Sequence, residues 1–542
     1  MLGSQAIAQI LRIEGVQQVF CFPFTPIMEA LAEAEIRPVV ARQERVAENM
    51  ADGFSRTTNG DSLGVVTVQH AAGAENAFSG IAQAYTDGSP LLFLPGHPGR
   101  ERVGVSPTFD ACKSFAAVTK WADLIPSAAS VTQRMRRAFT LLRTGRPRPV
   151  MLEVPVDVAA EEMSGPLAYE PVSPSVSQAD PDGIRDAIKL LCSTERPLIW
   201  AGQGVLYAKA SHELTALAEG LGVPVMTTLL GKSAFNEQHA LSLGTGSYTS
   251  TAMVHDYLER CTAVFAIGAS LTRTLFAPPI PAGKPIVHAT VDPSDLNKDY
   301  RADISLVGDA KLILQQMLAE LQSQGFSIAA ERRCEVESCL QPIRNAWHQR
   351  WQPKLTSEET PINPYRVIGD FMKVTDPANT IVTHDSGNPR DELVPLYQSV
   401  VPRGYLGWGH STQLGFSLGA AMGAKLAQPE KLVVNFMGDA AFGMVGMDIE
   451  TAVREQIPIL TVLLNNSAMG NYEKFIPQAI DRYGSKFLSG NYAEVAQGLG
   501  AYSQRVEKPE HIVPALEAAI RATLEGKPAL LEMITCEEPE LA

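Results

Sequence analysis

The sequence predicts an α/β protein of three domains, each a parallel sheet flanked by helices. Three observations predict it. Short apolar runs recur along the 542 residues, mostly continuous rather than alternating, as in strands covered on both faces. Stretches of helical periodicity, such as SHELTALAEGL and PEHIVPALEAAIRATLEG, separate them. Two stretches, 163–183 (rich in Pro and Ser) and 351–364 (with Pro near both ends), do not readily continue a helix or strand and read as linkers. The predicted domains are 1–165, 180–350 and 360–542. In the first, RPVVA, LGVVTV, PLLFLPG and PVMLEVP are the strand candidates. In the second they are PLIWAG, TAVFAIGA and KPIVHATVD, and in the third NTIVTHDS, KLVVNFMGD and PILTVLLNN.

Composition narrows the function classes. A formal net charge of -14 speaks against a nucleic-acid partner, which needs a basic face. No run of about 18 apolar residues exists, so no membrane partner is expected. The N-terminal MLGSQAIAQILRIEG lacks a basic start followed by an apolar block, so no signal peptide is expected. Seven scattered cysteines, odd in number and without a CxxC pair, fit a reduced, cytoplasmic chain.

Two strand exits carry the chemistry. KLVVNFMG leads into Asp439, and PILTVLLN leads into Asn466, 27 positions later. In parallel α/β sheets, ligands bind outside the carboxyl ends of the strands. A carboxylate and an amide oxygen are hard ligands suited to Mg2+. Gly438, Ala440 and Ala441 are small and let backbone N–H groups approach an anion such as a diphosphate. A plain strand-to-helix turn capped by Asp would use the same residues. The spacing, however, resembles the diphosphate-binding signature of thiamine-diphosphate enzymes. That resemblance implies that Asp439, Asn466 and the carbonyl of Ala468 hold Mg2+, with Ala440 where the family commonly has Gly.

A second stretch, VVARQERVAENMADGFSR at 39–56, resembles the same family's N-terminal signature. Glu44 matches its activator glutamate, which hydrogen-bonds a pyrimidine nitrogen of thiamine and favours the imino tautomer. By itself Glu44 reads more readily as an acid favoured at a helix N-terminus, and the pairing with the diphosphate signature is what turns the reading. FCFPFTPIMEAL resembles a loop of the family, which implies that Pro23 lies beside the cofactor and Phe24 and Thr25 near the substrate, with Cys21 and Phe24 standing where the family has glycines. VQHAAGAENAFSGIAQAY implies that Gly73 and Asn76 face the pyrimidine and that Gln69 and His70 face the reacting centre. His70 is the candidate proton shuttle, because imidazole titrates near neutrality. GWGHSTQLGFSLGAAMGAKL implies that Leu414 lies under the cofactor and that the Thr412 carbonyl accepts from its amino group. Ser386, Gly387 and Asn388 offer donors to the diphosphate, and Arg390 is read with equal weight as an anion ligand or a surface residue. Phe115 and Tyr472 are expected at the substrate pocket, and Met469 beside the cofactor.

The resemblance spans the chain and is nearest to the acetolactate-synthase-like group. It implies cofactors thiamine diphosphate and Mg2+, and a lyase or transferase reaction on a small 2-oxo acid, with an aldehyde or second 2-oxo acid as partner. The acid is decarboxylated and a carbon–carbon bond is then formed. It also implies a homodimer or homotetramer with sites at the subunit interface. A simple 2-oxo acid decarboxylase is the alternative within the family; a Rossmann nucleotide-binding oxidoreductase or a binding protein is the alternative outside it. Some relatives bind FAD or ADP in the middle domain. No full GxGxxG with a following acid is present there, so FAD is left open and not predicted. Pro107 stands where acetolactate synthases carry an active-site Gln, and SAMGNYEKF after Asn466 matches no single substrate pattern.

Overall fold

A computed structural model describes residues 1–324, 329–470 and 472–542. It contains three six-stranded sheets, in which every strand pairing is parallel. The first holds β1 (Gln18–Cys21), β2 (Arg37–Val40), β3 (Gly64–Val68), β4 (Leu91–His97), β5 (Trp121–Leu124) and β6 (Val150–Pro155), in the order β2-β1-β3-β4-β6-β5. The second holds β7 (Pro197–Ala201), β8 (Val225–Thr228), β9 (Ser242–Gly246), β10 (Ala263–Ile267), β11 (Ile286–Thr290) and β12 (Ile304–Val307). Its order, β12-β11-β10-β7-β8-β9, is that of a Rossmann sheet. The third holds β13 (Thr380–His384), β14 (Tyr405–Leu406), β15 (Leu432–Gly438), β16 (Leu460–Asn465), β17 (Tyr502–Val506) and β18 (Ala529–Ile534). Its order, β14-β13-β15-β16-β18-β17, repeats that of the first sheet strand for strand. Strands such as β3, β4, β7, β10 and β13 are buried at every residue, which is why their sequences are mostly apolar and do not alternate.

The first and third domains meet through two helices, Glu44–Thr57 and Phe416–Ala427. Glycines make the approach close. A Cβ on Gly423 would lie 2.0 Å from the Met50 carbonyl oxygen, and one on Gly53 would lie 2.3 Å from that of Ala420. Buried charge pins the contact. Arg56 binds Asp52 and donates to the Gly407 carbonyl at 2.7 Å, while Asp87 accepts from the amides of Gly409 and His410. The middle and third domains share the buried Lys232–Glu237 pair, whose ammonium also donates to the Val394 carbonyl at 3.1 Å.

The linker predicted from residue 351 begins later than its prolines suggest. Helix Ala329–Leu355 runs through Pro342 and Pro353. Trp351 is held between Trp347 and Tyr365, at ring-centroid distances of 5.6 and 4.9 Å, so packing carries the helix past the sequence signal. Among the described residues, no helix is long and apolar enough to cross a membrane.

Candidate cofactor site

The third sheet brings its exits together. β13, β15 and β16 are neighbours, with Gly438 paired to Leu464, so Asp439 and Asn466 project from adjacent strand ends. Asp439 opens the helix Asp439–Val445 and is almost fully buried. Its Oδ1 accepts from the Ala440 amide at 2.8 Å, and its Oδ2 is buried with no hydrogen-bond partner among the described residues. Burial raises the Asp439 carboxyl above its ordinary range, and the nearby amides of Ala440, Ser467 and Ala468 oppose that rise. The Asn466 side-chain oxygen Oδ1 accepts from the Ala468 amide at 3.0 Å. Ser467 between them has φ +55°, which turns the chain back toward Asp439. An orphaned carboxylate oxygen beside an amide oxygen and exposed backbone is a donor set that fits a hard divalent cation.

A cavity of about 130 Å³ lies over this pair. Ser386, Gly387, Asn388, Leu414, Gly438, Ala440, Ala441, Met469 and Tyr472 line it with Asp439, Asn466 and Ala468, so the structure unites these sequence candidates. Asp385, missed in the sequence, holds two sides of the cavity in register. It is fully buried and accepts from the amides of Ser386, Gly415 and Ser417 and from the Ser417 hydroxyl at 2.6 Å. Gly415, at φ +93°, makes the turn that presents Leu414; a Cβ there would strike Val445. Thr412 is exposed and stands outside the cavity lining.

The remaining candidates cluster on the first domain. Glu44 begins its helix immediately after β2 and is 8% exposed. Asn76 donates to Glu44 Oε2 at 3.2 Å, and Gly73 leaves room beside Glu44 Oε1. Gln69 and His70 follow β3 and are half-buried. His97, another residue the sequence reading passed over, ends β4; burial and then the neighbouring His70 hold it below the ordinary imidazole range. Pro23 and Phe24 are exposed at the exit of β1. Phe24 sits at φ +73°, a left-handed conformation that explains why glycine suits this position. Thr25 is half-buried, with its hydroxyl unpartnered among the described residues. None of these first-domain residues lines the 130 Å³ cavity, although Gln43 and Arg45 both donate to the Met444 carbonyl of the helix that Asp439 opens.

Two expectations are corrected. Phe115 is fully buried against Phe78 and Phe93, with centroids 5.1 and 5.2 Å away, so its place is the domain core rather than the substrate pocket. Arg390 is not a surface residue: it is 4% exposed, is bonded to Asp391 and lies over the rings of Phe276 and Trp408. Within SAMGNY, Asn471 lies outside the described residues.

A larger cavity, about 1270 Å³, opens where the Rossmann sheet reverses direction, between the exits of β7 and β10. Gly204, Gly268, Arg273 and Asp295 line it from the middle domain, with Arg146 and His410 from the two others. It has the position at which Rossmann domains take nucleotides, and it is separate from the Asp439 site.

Comparison with known proteins agrees with this three-domain fold. Residues 1–117 match the thiamine pyrophosphate enzyme N-terminal TPP binding domain, 184–317 its central domain and 385–533 its C-terminal TPP binding domain. A probable acetolactate synthase large subunit of Methanocaldococcus jannaschii is 31% identical over 561 aligned residues, covering 98% of this chain and 92% of its own. The acetolactate synthase isozyme 3 large subunit of Escherichia coli is 29% identical, covering 96% of this chain and 92% of its own. Three domain matches in order and a relative aligned almost end to end leave one conclusion: the chain belongs to the thiamine pyrophosphate enzyme family and is an enzyme.

Proposed function

We propose that this enzyme is a thiamine-diphosphate- and Mg2+-dependent carboligase that decarboxylates a small 2-oxo acid and joins the remainder to a second carbonyl. The observation that carries the reading is the unpartnered Asp439 Oδ2 beside Asn466, in a chain whose near full-length relatives are named acetolactate synthases. Asp439, Asn466 and the Ala468 carbonyl would hold Mg2+, and Ser386, Gly387, Asn388 and the amides after Gly438 would hold the diphosphate. Bound thiamine diphosphate supplies a nucleophilic carbon and an electron sink for the departing CO2.

The chain's own groups do the rest. Leu414 gives an apolar support beneath the cofactor. Glu44, held by Asn76, keeps a proton at the pyrimidine nitrogen. His70 and Gln69 move or hold protons at the substrate oxygen. Met469 and Tyr472 shape the acceptor side.

A second copy completes the site in this reading. Pro23, Phe24 and Asn76 are exposed, as are Phe475, Tyr483 and Phe487 beyond the cavity entrance, and such surface suits a partner chain. Seven free cysteines support a cytoplasmic location.

Incubating the protein with pyruvate, thiamine diphosphate and Mg2+, followed by NMR of the products, tests the reaction. Acetolactate supports carboligation, acetaldehyde redirects it to simple decarboxylation, and no turnover of any short 2-oxo acid sinks both.

A further inference from the structure

Helices Glu44–Thr57 and Ala72–Asp87 turn polar residues toward each other. On the first, these recur every four residues as Glu44, Glu48, Asp52 and Arg56. On the second they are Asn76, Gln83 and Asp87. One end is paired, Asn76 donating to Glu44. The other end is paired too, Arg56 binding Asp52 and reaching Asp87 at 3.4 Å. Glu48 lies between them with no exposed surface. Its carboxyl presses on the opposite helix, where a Cβ on Gly80 would stand 2.3 Å from Glu48 Oε2. Among the described residues, neither Glu48 oxygen has a hydrogen-bond partner, and neither do the buried side-chain amides of Asn49 and Gln83.

An ionised carboxylate cannot persist unpaired in such a place, so Glu48 keeps its proton. Burial drives it well above the ordinary carboxylate range; the nearby Ile81 amide opposes this and the Glu44 charge adds to it. The surrounding titratable groups offer it no cation. On its own helix these are Glu44, Arg45, which donates to the Met444 carbonyl of the third domain, and the Asp52–Arg56 pair, and on the facing helix Asp87, already bound to Arg56. Lys425 of the third packed helix is engaged by the carbonyls of Pro429 and Lys431, and Cys21 on β1 is a neutral thiol, raised by burial to about 12. One helical turn puts Glu48 and Glu44 within about 6 Å at Cβ, a span that a rotamer change or one water can bridge.

We propose that Glu48 is a positioning residue for Glu44: the two form a carboxyl pair that shares one proton, which Glu48 stores and Glu44 presents to the pyrimidine nitrogen of the cofactor. The transfer breaks one O–H bond at Glu48 and makes one at Glu44, while the negative charge moves the other way. The pair thus keeps one proton and one charge throughout. The proposal rests on the role of Glu44 given under Proposed function.

Infrared difference spectroscopy of the full-length protein without cofactor reads the carbonyl stretch of a protonated carboxylic acid. At neutral pH, wild type minus Glu48→Gln is expected to show that band, and wild type minus Glu44→Gln is not. With thiamine diphosphate and Mg2+ added, Glu48→Gln is expected to slow C2–H exchange by roughly a hundredfold and to alter its pH profile, with cofactor affinity unchanged. Glu48→Asp should recover part of the rate, and the apolar Glu48→Val should behave as Glu48→Gln if the glutamine variant folds poorly. No infrared band, or exchange unchanged in Glu48→Gln and Glu48→Val while Glu44→Gln slows it, overturns this proposal alone. Exchange unchanged in Glu44→Gln overturns the functional reading and this proposal with it.

Discussion

Co-expression of two inactive variants tests where the catalytic groups of one site come from. On the proposed function, Glu44→Gln removes the proton that would be held at the pyrimidine nitrogen, and Asp439→Ala removes the carboxylate that would face the cation. Each alone should fall by at least about a hundredfold, the scale of a lost acid–base group or metal ligand. Suppose each site takes Glu44 from one copy and Asp439 from the other. A hybrid dimer then has one site with both substitutions and one with neither. Random assembly makes about half the dimers hybrid, so the mixture should recover about one quarter of wild-type activity. The structural basis is that third-domain residues make up most of the cavity lining, while Asn76 and Phe24 remain exposed in the single chain. The assay is CO2 release from pyruvate per milligram of co-purified protein, with thiamine diphosphate and Mg2+ saturating. Activity no higher than that of the separate variants would refute the reasoning. It would mean that each chain's Glu44 serves its own Asp439, and the bonds from Gln43 and Arg45 to Met444 would then be the contacts that set the distance.

Other outcomes follow from single contacts. Asp439→Asn keeps the Ala440 contact but removes the charge at Oδ2, so calorimetry should show Mg2+-dependent thiamine diphosphate binding weakened roughly a hundredfold, with urea stability preserved. Gly80→Ala forces a methyl group to within 2.3 Å of Glu48 Oε2 and should cost about 1–3 kcal/mol in urea unfolding. Phe24→Gly relieves a left-handed φ of +73° and should raise stability by up to about 1 kcal/mol while changing KM for the 2-oxo acid. Glu153, 4% exposed and bonded by the Cys112 thiol at 3.2 Å, is raised by burial to about 7. A carboxyl raised on folding contributes stability below its unfolded value near 4.5 and loses it as pH climbs through about 7. Unfolding midpoints should therefore show Glu153→Gln raising stability at pH 8 by about 2–3 kcal/mol relative to its effect at pH 4.

What the sequence disclosed, and what it withheld, follows the same physics. β3, β4, β7, β10, β13, β15 and β16 are legible because strands covered on both faces are predominantly apolar instead of alternating. β5, β12, β14 and β17 lie at sheet edges, are short or half-polar, and leave no such run. The Asp439–Asn466 pair is legible because strand exits are fixed by the strands that precede them. Phe115 and Arg390 were misjudged because their surroundings come from remote segments: Phe93 for one, Phe276 and Trp408 for the other. Glu48 shows the boundary most sharply. Its sequence signal, an acid four residues after Glu44, ordinarily marks a solvated helix face. Only its complete burial against Gly80, with neither oxygen hydrogen-bonded among the described residues, makes that acid the proton store proposed above. Side chains whose chemistry depends on what is missing around them are invisible to spacing, and they are where structure adds most to the reading of this enzyme.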